Sequence, residues 1–181
     1  MQVFNSSSRF GVVSILLHWL VAVAVFTLFG LGLWMVDLNY YHEWYKTGPD
    51  IHRSVGILLF GVMIFRVLWR VVNRGPCPLP GQAKWEVRIA HGVHGVLYLL
   101  LFVAFVSGYL ITTADGSSIH VFDWFTVPSV TGQVKGLEEV AGDIHYWTTW
   151  AIVVLAGLHA AAAFKHHLID RDDTLRRMVG R

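Results

Sequence analysis

Two histidines, His145 and His159, lie fourteen residues apart in the apolar stretch Asp143 to His167, which reads DIHYWTTWAIVVLAGLHAAAAFKHH. From Ile144 to Phe164 it carries no formal charge, long enough to cross a bilayer as one helix. Fourteen residues of α-helix rise about 21 Å and return to within roughly 40° of the starting face. Both imidazoles therefore look out from one face, one near each end of the hydrocarbon layer. Neutral imidazole is a common metal ligand. Ionisable side chains inside a membrane are costly, so they tend to face protein and carry function. One such histidine is most simply a buried ring bonded to a neighbouring carbonyl. Two on one face point to two sites across the membrane, if other helices supply partners at both depths.

Those partners exist. Apolar runs predict spans at about 11–36, 52–72, 89–113 and 143–167. The second and fourth spans begin outside, so His52 and His145 share the outer depth. The first begins inside and the fourth ends there, which puts His18 level with His159. His91 and His94 enter the same inner layer from the third span and compete with His18. His42 and His120 fall in outer loops and are solvated, while His166 and His167 lie at the inner interface.

Composition agrees with a membrane protein. Of 181 residues 55% are hydrophobic and 14% charged, with mean hydropathy +0.53, too little charge for a soluble domain of this length. The expected fold is all-α integral membrane: a four-transmembrane-helix bundle with both termini cytoplasmic, residues 1–181 forming a single domain. Orientation follows from Lys and Arg. Arg9, Arg66, Arg70, Arg74, Lys84, Arg88, Lys165, Arg171, Arg176, Arg177 and Arg181 fall on one side, and only Lys46, Arg53 and Lys135 on the other. Arg66, Arg70 and Arg74 recur every fourth residue and are expected to snorkel to the inner surface. In the long loop 115–143, Trp124 and Phe125 are expected to dip back onto the bundle. The first span is too long for a cleaved signal and lacks a small-residue cleavage pattern. Nothing points to nucleic acid.

The lone cysteine, Cys77, excludes an internal disulfide, and no C-x-x-C-H motif is present for covalent haem attachment. Any haem is therefore held by axial ligands and packing. Haem iron takes donors from opposite sides, and facing helices can supply them. Two axial histidines leave no open coordination position, so such a site moves electrons rather than binding oxygen. Gly56, Gly95 and Gly157 lie near the histidines in sequence and could admit a porphyrin to the backbone, although small residues also mark helix packing in membranes. Zinc is the weaker reading, for want of a tight cluster of histidine, cysteine and carboxylate at one depth.

Four segments carry a family resemblance: ILLHWL, DIHRSVGILLFGVMIFRVLWR, AHGVHGVLYLLLF and DIHYWTTWAIVVLAGLHAAAAFKHH, with the tail RDDTLRRM. From Arg9 onward the chain resembles the bacterial di-haem cytochrome b561 family, of the superoxide oxidase type. That resemblance implies a multi-pass protein of the bacterial inner membrane with two non-covalent, bis-histidine haem b groups and electron transfer with ubiquinone. It implies His52 and His145 as iron ligands for the outer haem, and His18 and His159 for the inner one. His94 then packs beside the inner porphyrin. Arg53 and Lys84 become candidates for the haem propionates, and His166 for quinone binding and proton supply at the inner face.

Two functions follow from the resemblance. One is oxidation of periplasmic superoxide with ubiquinone as acceptor. The other is an electron conduit or anchor subunit for a periplasmic dehydrogenase or other redox protein. Length favours the first, since it leaves little soluble extension to grip a large partner. The acidic outer loops, with Asp37, Glu43, Asp50, Asp115, Asp123, Glu138, Glu139 and Asp143, repel an anion unless a basic patch at Arg53 intervenes. A histidine-lined transporter is a third reading, which lacks carboxylates within the spans.

Overall fold

The computed structural model describes residues 2–180. Arg181, counted among the inner-side charges, lies outside them. The elements run α1 (Val12–Val36), α2 (Thr47–Val72), α3 (Lys84–Thr113), β1 (Ile119–Val121), β2 (Phe125–Val127), α4 (Leu137–Leu168) and α5 (Thr174–Met178). Four helices, α1 to α4, are long and apolar enough to cross a membrane. Large apolar side chains such as Leu16, Leu99 and Leu158 stand exposed along them, as lipid-facing positions require.

Three of the helices begin a turn or more before their apolar runs. α2 starts at Thr47, where Pro49 is tolerated because first-turn amides have no partner in the helix. Asp50 in that turn, Glu86 in α3, and Glu138 and Glu139 in α4 oppose the positive end of the helix dipole. Lys165, His166 and His167 occupy the last turn of α4, at the negative end.

The chain forms two compact units, each drawing on all four long helices. Among the described residues, unit 1 comprises 2–22, 62–98 and 154–180. Ile15, Val21 and Met63 are its buried apolar residues. Its N-terminal lead is tied down by Asn5, whose amide oxygen accepts from Gly11 N at 2.7 Å and Ser14 Oγ at 2.8 Å. A Cβ on Gly11 would collide with the Val3 carbonyl oxygen, so only glycine fits there. The C-terminal segment docks on the same unit. Trp19 Nε1 donates to Met178 O at 2.8 Å, and Arg177 to Cys77 O at 2.8 Å. Gln82 Nε2 donates to Asp172 Oδ2 at 3.2 Å and Thr174 Oγ1 at 3.0 Å. Burial alone would raise the Asp172 carboxyl, but donors from Thr174 and Gln82 outweigh it and hold the group below its ordinary range.

Unit 2 comprises residues 23–61 and 99–153. The 115–136 connection is a folded cap rather than an open loop. β1 and β2 pair antiparallel with Val121 opposite Phe125. Phe122 and Asp123 turn the hairpin with φ of 44° and 60°, and Trp124 N donates to Val121 O at 2.8 Å. Val121 is fully buried and Ile119 nearly so, whereas Trp124 and Phe125 are exposed. The expectation that Trp124 and Phe125 dip inward is thus corrected: the turn projects them outward, and the alternate residues of β1 face in. Ser54 on α2 holds the hairpin from both sides. Its hydroxyl donates to His120 O at 3.3 Å and accepts from Phe122 N at 3.2 Å. Further along, Tyr109 Oη donates to Pro128 O at 2.7 Å and accepts from Val130 N at 2.9 Å. Ser117 N–H and hydroxyl donors depress the Asp115 carboxyl.

Candidate functional site

In unit 2, α2 and α4 bring His52 and His145 opposite each other, with ring centroids 6.3 Å apart and planes at 74°. A metal–imidazole bond of about 2 Å places the centroids of two trans imidazoles about 6 Å apart. The pair therefore fits an iron between two rings. The His145 ring is held by hydrogen bonds at one nitrogen. Its Nδ1 lies 2.9 Å from Ala104 O and 3.2 Å from Ser107 Oγ. Because a carbonyl only accepts, Nδ1 carries the proton and the Nε2 lone pair is left for a metal. Two glycines on neighbouring helices make room for the rings. A Cβ on Gly108 would stand 3.1 Å from His145 Cε1, and one on Gly32 3.3 Å from His52 Cε1.

Unit 1 repeats the arrangement. His18 on α1 and His159 on α4 have centroids 6.3 Å apart and planes at 66°. His94 on α3 stands closer to His159, at 4.9 Å, too short for two rings on opposite sides of one metal. His91 is exposed. Arg66 donates to His18 Nδ1 at 3.1 Å, and both Arg66 and Arg70 lie 5.5 Å from the centre of the Tyr98 ring.

The sequence profile described as prokaryotic cytochrome b561 matches residues 9–181. The chain belongs to the prokaryotic cytochrome b561 family. It is 48% identical to cytochrome b561 homolog 2 of Escherichia coli (strain K12), over all of this chain and 96% of that protein. It is 29% identical to the probable superoxide oxidase CybB of Yersinia pestis, over 94% of this chain and 96% of that one. Against cytochrome b561 homolog 1 of Escherichia coli (strain K12) the identity is 26%, over 96% of this chain and 98% of that one. As a prokaryotic cytochrome b561 the chain is a multi-pass protein of the bacterial inner membrane that binds haem b and takes part in electron transfer.

The other residues singled out in this cytochrome b561 sequence fall in varied places. Arg53 is ion-paired with Asp50 and donates from Nε to Pro49 O at 3.2 Å. Lys84 is exposed at the start of α3. Arg70 and Arg74 are exposed, but Arg66 is half-buried and aimed at His18. The snorkelling stripe therefore holds for only part of its length. Gly56, Gly95 and Gly157 have nothing within 4 Å of an added Cβ. His166 Nδ1 lies 2.8 Å from Asp170 Oδ2 and 3.3 Å from Asp172 Oδ2. Glu86, His166 and Asp170 offer ligand-type atoms within 4.8 Å of one another, a cluster that distant positions in the sequence conceal. Lys165 Nζ already bridges its two carboxylates, at 3.0 Å to Glu86 and 2.7 Å to Asp170.

Proposed function

We propose that this chain works as one domain, a di-haem cytochrome with both termini cytoplasmic, and carries electrons from periplasmic superoxide to ubiquinone. The observation that supports this most is the repeated geometry, with one histidine pair at 6.3 Å in each unit. Haem b would supply a one-electron iron couple at each pair, with no vacant position for oxygen. His52 and His145 would hold one group, and His18 and His159 the other. His94, too near His159 to oppose it across a metal, would line the second site. Ala104 O and Ser107 would keep His145 in its ligating tautomer. Two superoxide anions each lose one electron and leave dioxygen, and one quinone takes two electrons and two protons to become quinol. His166 would donate to a quinone oxygen through Nε2, with the Asp170 and Asp172 carboxylates accepting from Nδ1–H to hold the ring and water at the inner face supplying the replacement proton to Nε2.

Superoxide as donor rests on the relative named a probable superoxide oxidase. A second reading, an electron conduit for a periplasmic redox protein, is favoured by the Arg53–Asp50 ion pair. That pair cancels the cation expected to draw in an anion. A cavity of about 500 Å³ beside it is lined by Arg53, Ser54 and His120 but also by Asp50 and Asp123.

One experiment separates the two. Purified protein is mixed with quinone and a superoxide generator, and haem reduction is followed at low and high salt. Rapid reduction that salt slows and Arg53→Glu weakens supports superoxide arriving at a basic entry. Haem reduction no faster than superoxide decays without protein sinks the oxidase reading and leaves the conduit.

A further inference from the structure

Arg66 stands well inside the apolar part of the chain. It lies six residues before the end of α2, about 9 Å along the axis at 1.5 Å per residue, and is half-buried. Arg70 follows one turn later, and both guanidinium carbons lie 5.5 Å from the centre of the same Tyr98 ring. Among the described residues neither arginine forms a salt bridge with Asp or Glu. Two like charges over one aromatic ring, one of them, Arg66, half-buried, call for an anion. The bond Arg66 makes does not supply one: it donates to His18 Nδ1 at 3.1 Å.

That bond also conflicts with ligation. Guanidinium is a donor only, so Nδ1 must offer its lone pair and the proton must reside on Nε2. A neutral histidine that ligates through Nε2 carries its proton on Nδ1 instead. Two N–H groups cannot bond to each other, so ligation by His18 turns Arg66 toward another acceptor. Haem brings one in its propionate carboxylates, which match the planar guanidinium fork.

We infer that Arg66, with Arg70 and Tyr98 beside it, is the carboxylate-binding site for the propionates of the haem held between His18 and His159. This rests on that pair ligating a haem, as proposed above. It assigns the propionate role in unit 1 to Arg66 rather than to the exposed Lys84. The chemistry recognised is a desolvated oxyanion, which a lipid phosphate also offers, so the test separates the two sources.

Full-length haem-loaded protein is prepared as wild type, Arg66→Gln and Arg66→Lys, in phospholipid-free detergent and in nanodiscs containing phosphatidylglycerol. Two readouts are taken: the propionate bending band in resonance Raman, and the rate at which haem passes to an excess scavenging apoprotein. In both media Arg66→Gln should shift the band and release one of the two haems about tenfold faster or more, the loss of one charge-assisted bond. The other haem, retained, reports that the variant is folded. Arg66→Lys, with the charge but not the fork, should fall between. An unshifted band with unchanged release overturns the inference, as does an effect confined to phosphatidylglycerol nanodiscs, which assigns the guanidinium to lipid. If Arg66→Gln loses both haems, Arg66→Lys decides, and a wild-type band in that variant overturns the inference. A ratio near one haem per chain in the wild type removes the His18–His159 reading and this one with it.

Discussion

Replacing Gly108 with alanine adds one methyl group directly against the His145 ring. The new Cβ would stand 3.1 Å from Cε1 and 3.3 Å from Nδ1, about 0.3 Å inside the 3.4 Å at which ordinary contact begins. The ring has little room to retreat, because Nδ1 is anchored at 2.9 Å to Ala104 O on the same helix as Gly108. Either that bond lengthens or α3 and α4 part locally. Overpacking of this kind costs about 1–3 kcal/mol, and a lost hydrogen bond on the ring, the proposed ligand, adds about 1 kcal/mol. Through occupancy, a total of about 2–4 kcal/mol weakens haem retention at His52 and His145 by roughly 30- to 1,000-fold. The assay is the haem-to-protein ratio and the thermal midpoint of purified Gly108→Ala, with Gly61→Ala as control. Gly61 is exposed and has nothing within 4 Å of an added Cβ. Gly108→Ala should lose one haem selectively, with the His18–His159 site intact. Equal haem content and equal melting in the two variants would refute the reasoning, since the ring would then have been free to move.

Other outcomes follow from the same geometry. His52→Ala and His145→Ala should each remove one haem, and His18→Ala and His159→Ala the other. His94→Ala should keep both, with a shifted potential, as read from redox-titrated spectra. Loss of a haem in His94→Ala with retention in His18→Ala would reverse the assignment. His166→Ala should slow electron exit to quinone several-fold at unchanged haem content in stopped-flow measurements, and normal turnover would move the quinone site elsewhere. The Asp172 carboxyl is held below its ordinary range, so its stabilising bonds are complete above about pH 4 and are lost as pH falls through the depressed pKa. Asp172→Asn should therefore flatten part of the acid limb of thermal stability, and an unchanged limb would show that Asp172 does not carry it.

Depth was legible in the sequence, because apolar runs count residues along an axis. It brings His52 level with His145, and His18 level with His159. Direction around each helix was less legible. The inner layer held His18, His91 and His94 as rivals, and only packing sets His94 at 4.9 Å from His159 and leaves His91 exposed. The same blindness placed Arg66 with its surface neighbours, since an i, i+4 stripe does not say which of its members meets another helix. Sequence proximity to a histidine picks out Gly56, Gly95 and Gly157, whereas Gly32 and Gly108 are the glycines where an added Cβ would crowd rings that belong to other helices. The hairpin was missed because strands of three residues carry almost no periodic signal, and its bulkiest residues sit at the turn. The ligating role of the histidines stays with the proposal made above.

One helix supplies a ring to both pairs: His145 and His159 stand on α4, while His18 and His52 stand on α1 and α2. During synthesis the early rings are therefore made long before their counterparts. A nascent chain that has inserted three helices holds neither pair, and the arrival of the fourth completes both. On the proposed ligand set, cofactor capture is a late and concerted event in biogenesis, and a ribosome stalled before Leu137 is expected to yield an inserted but colourless protein.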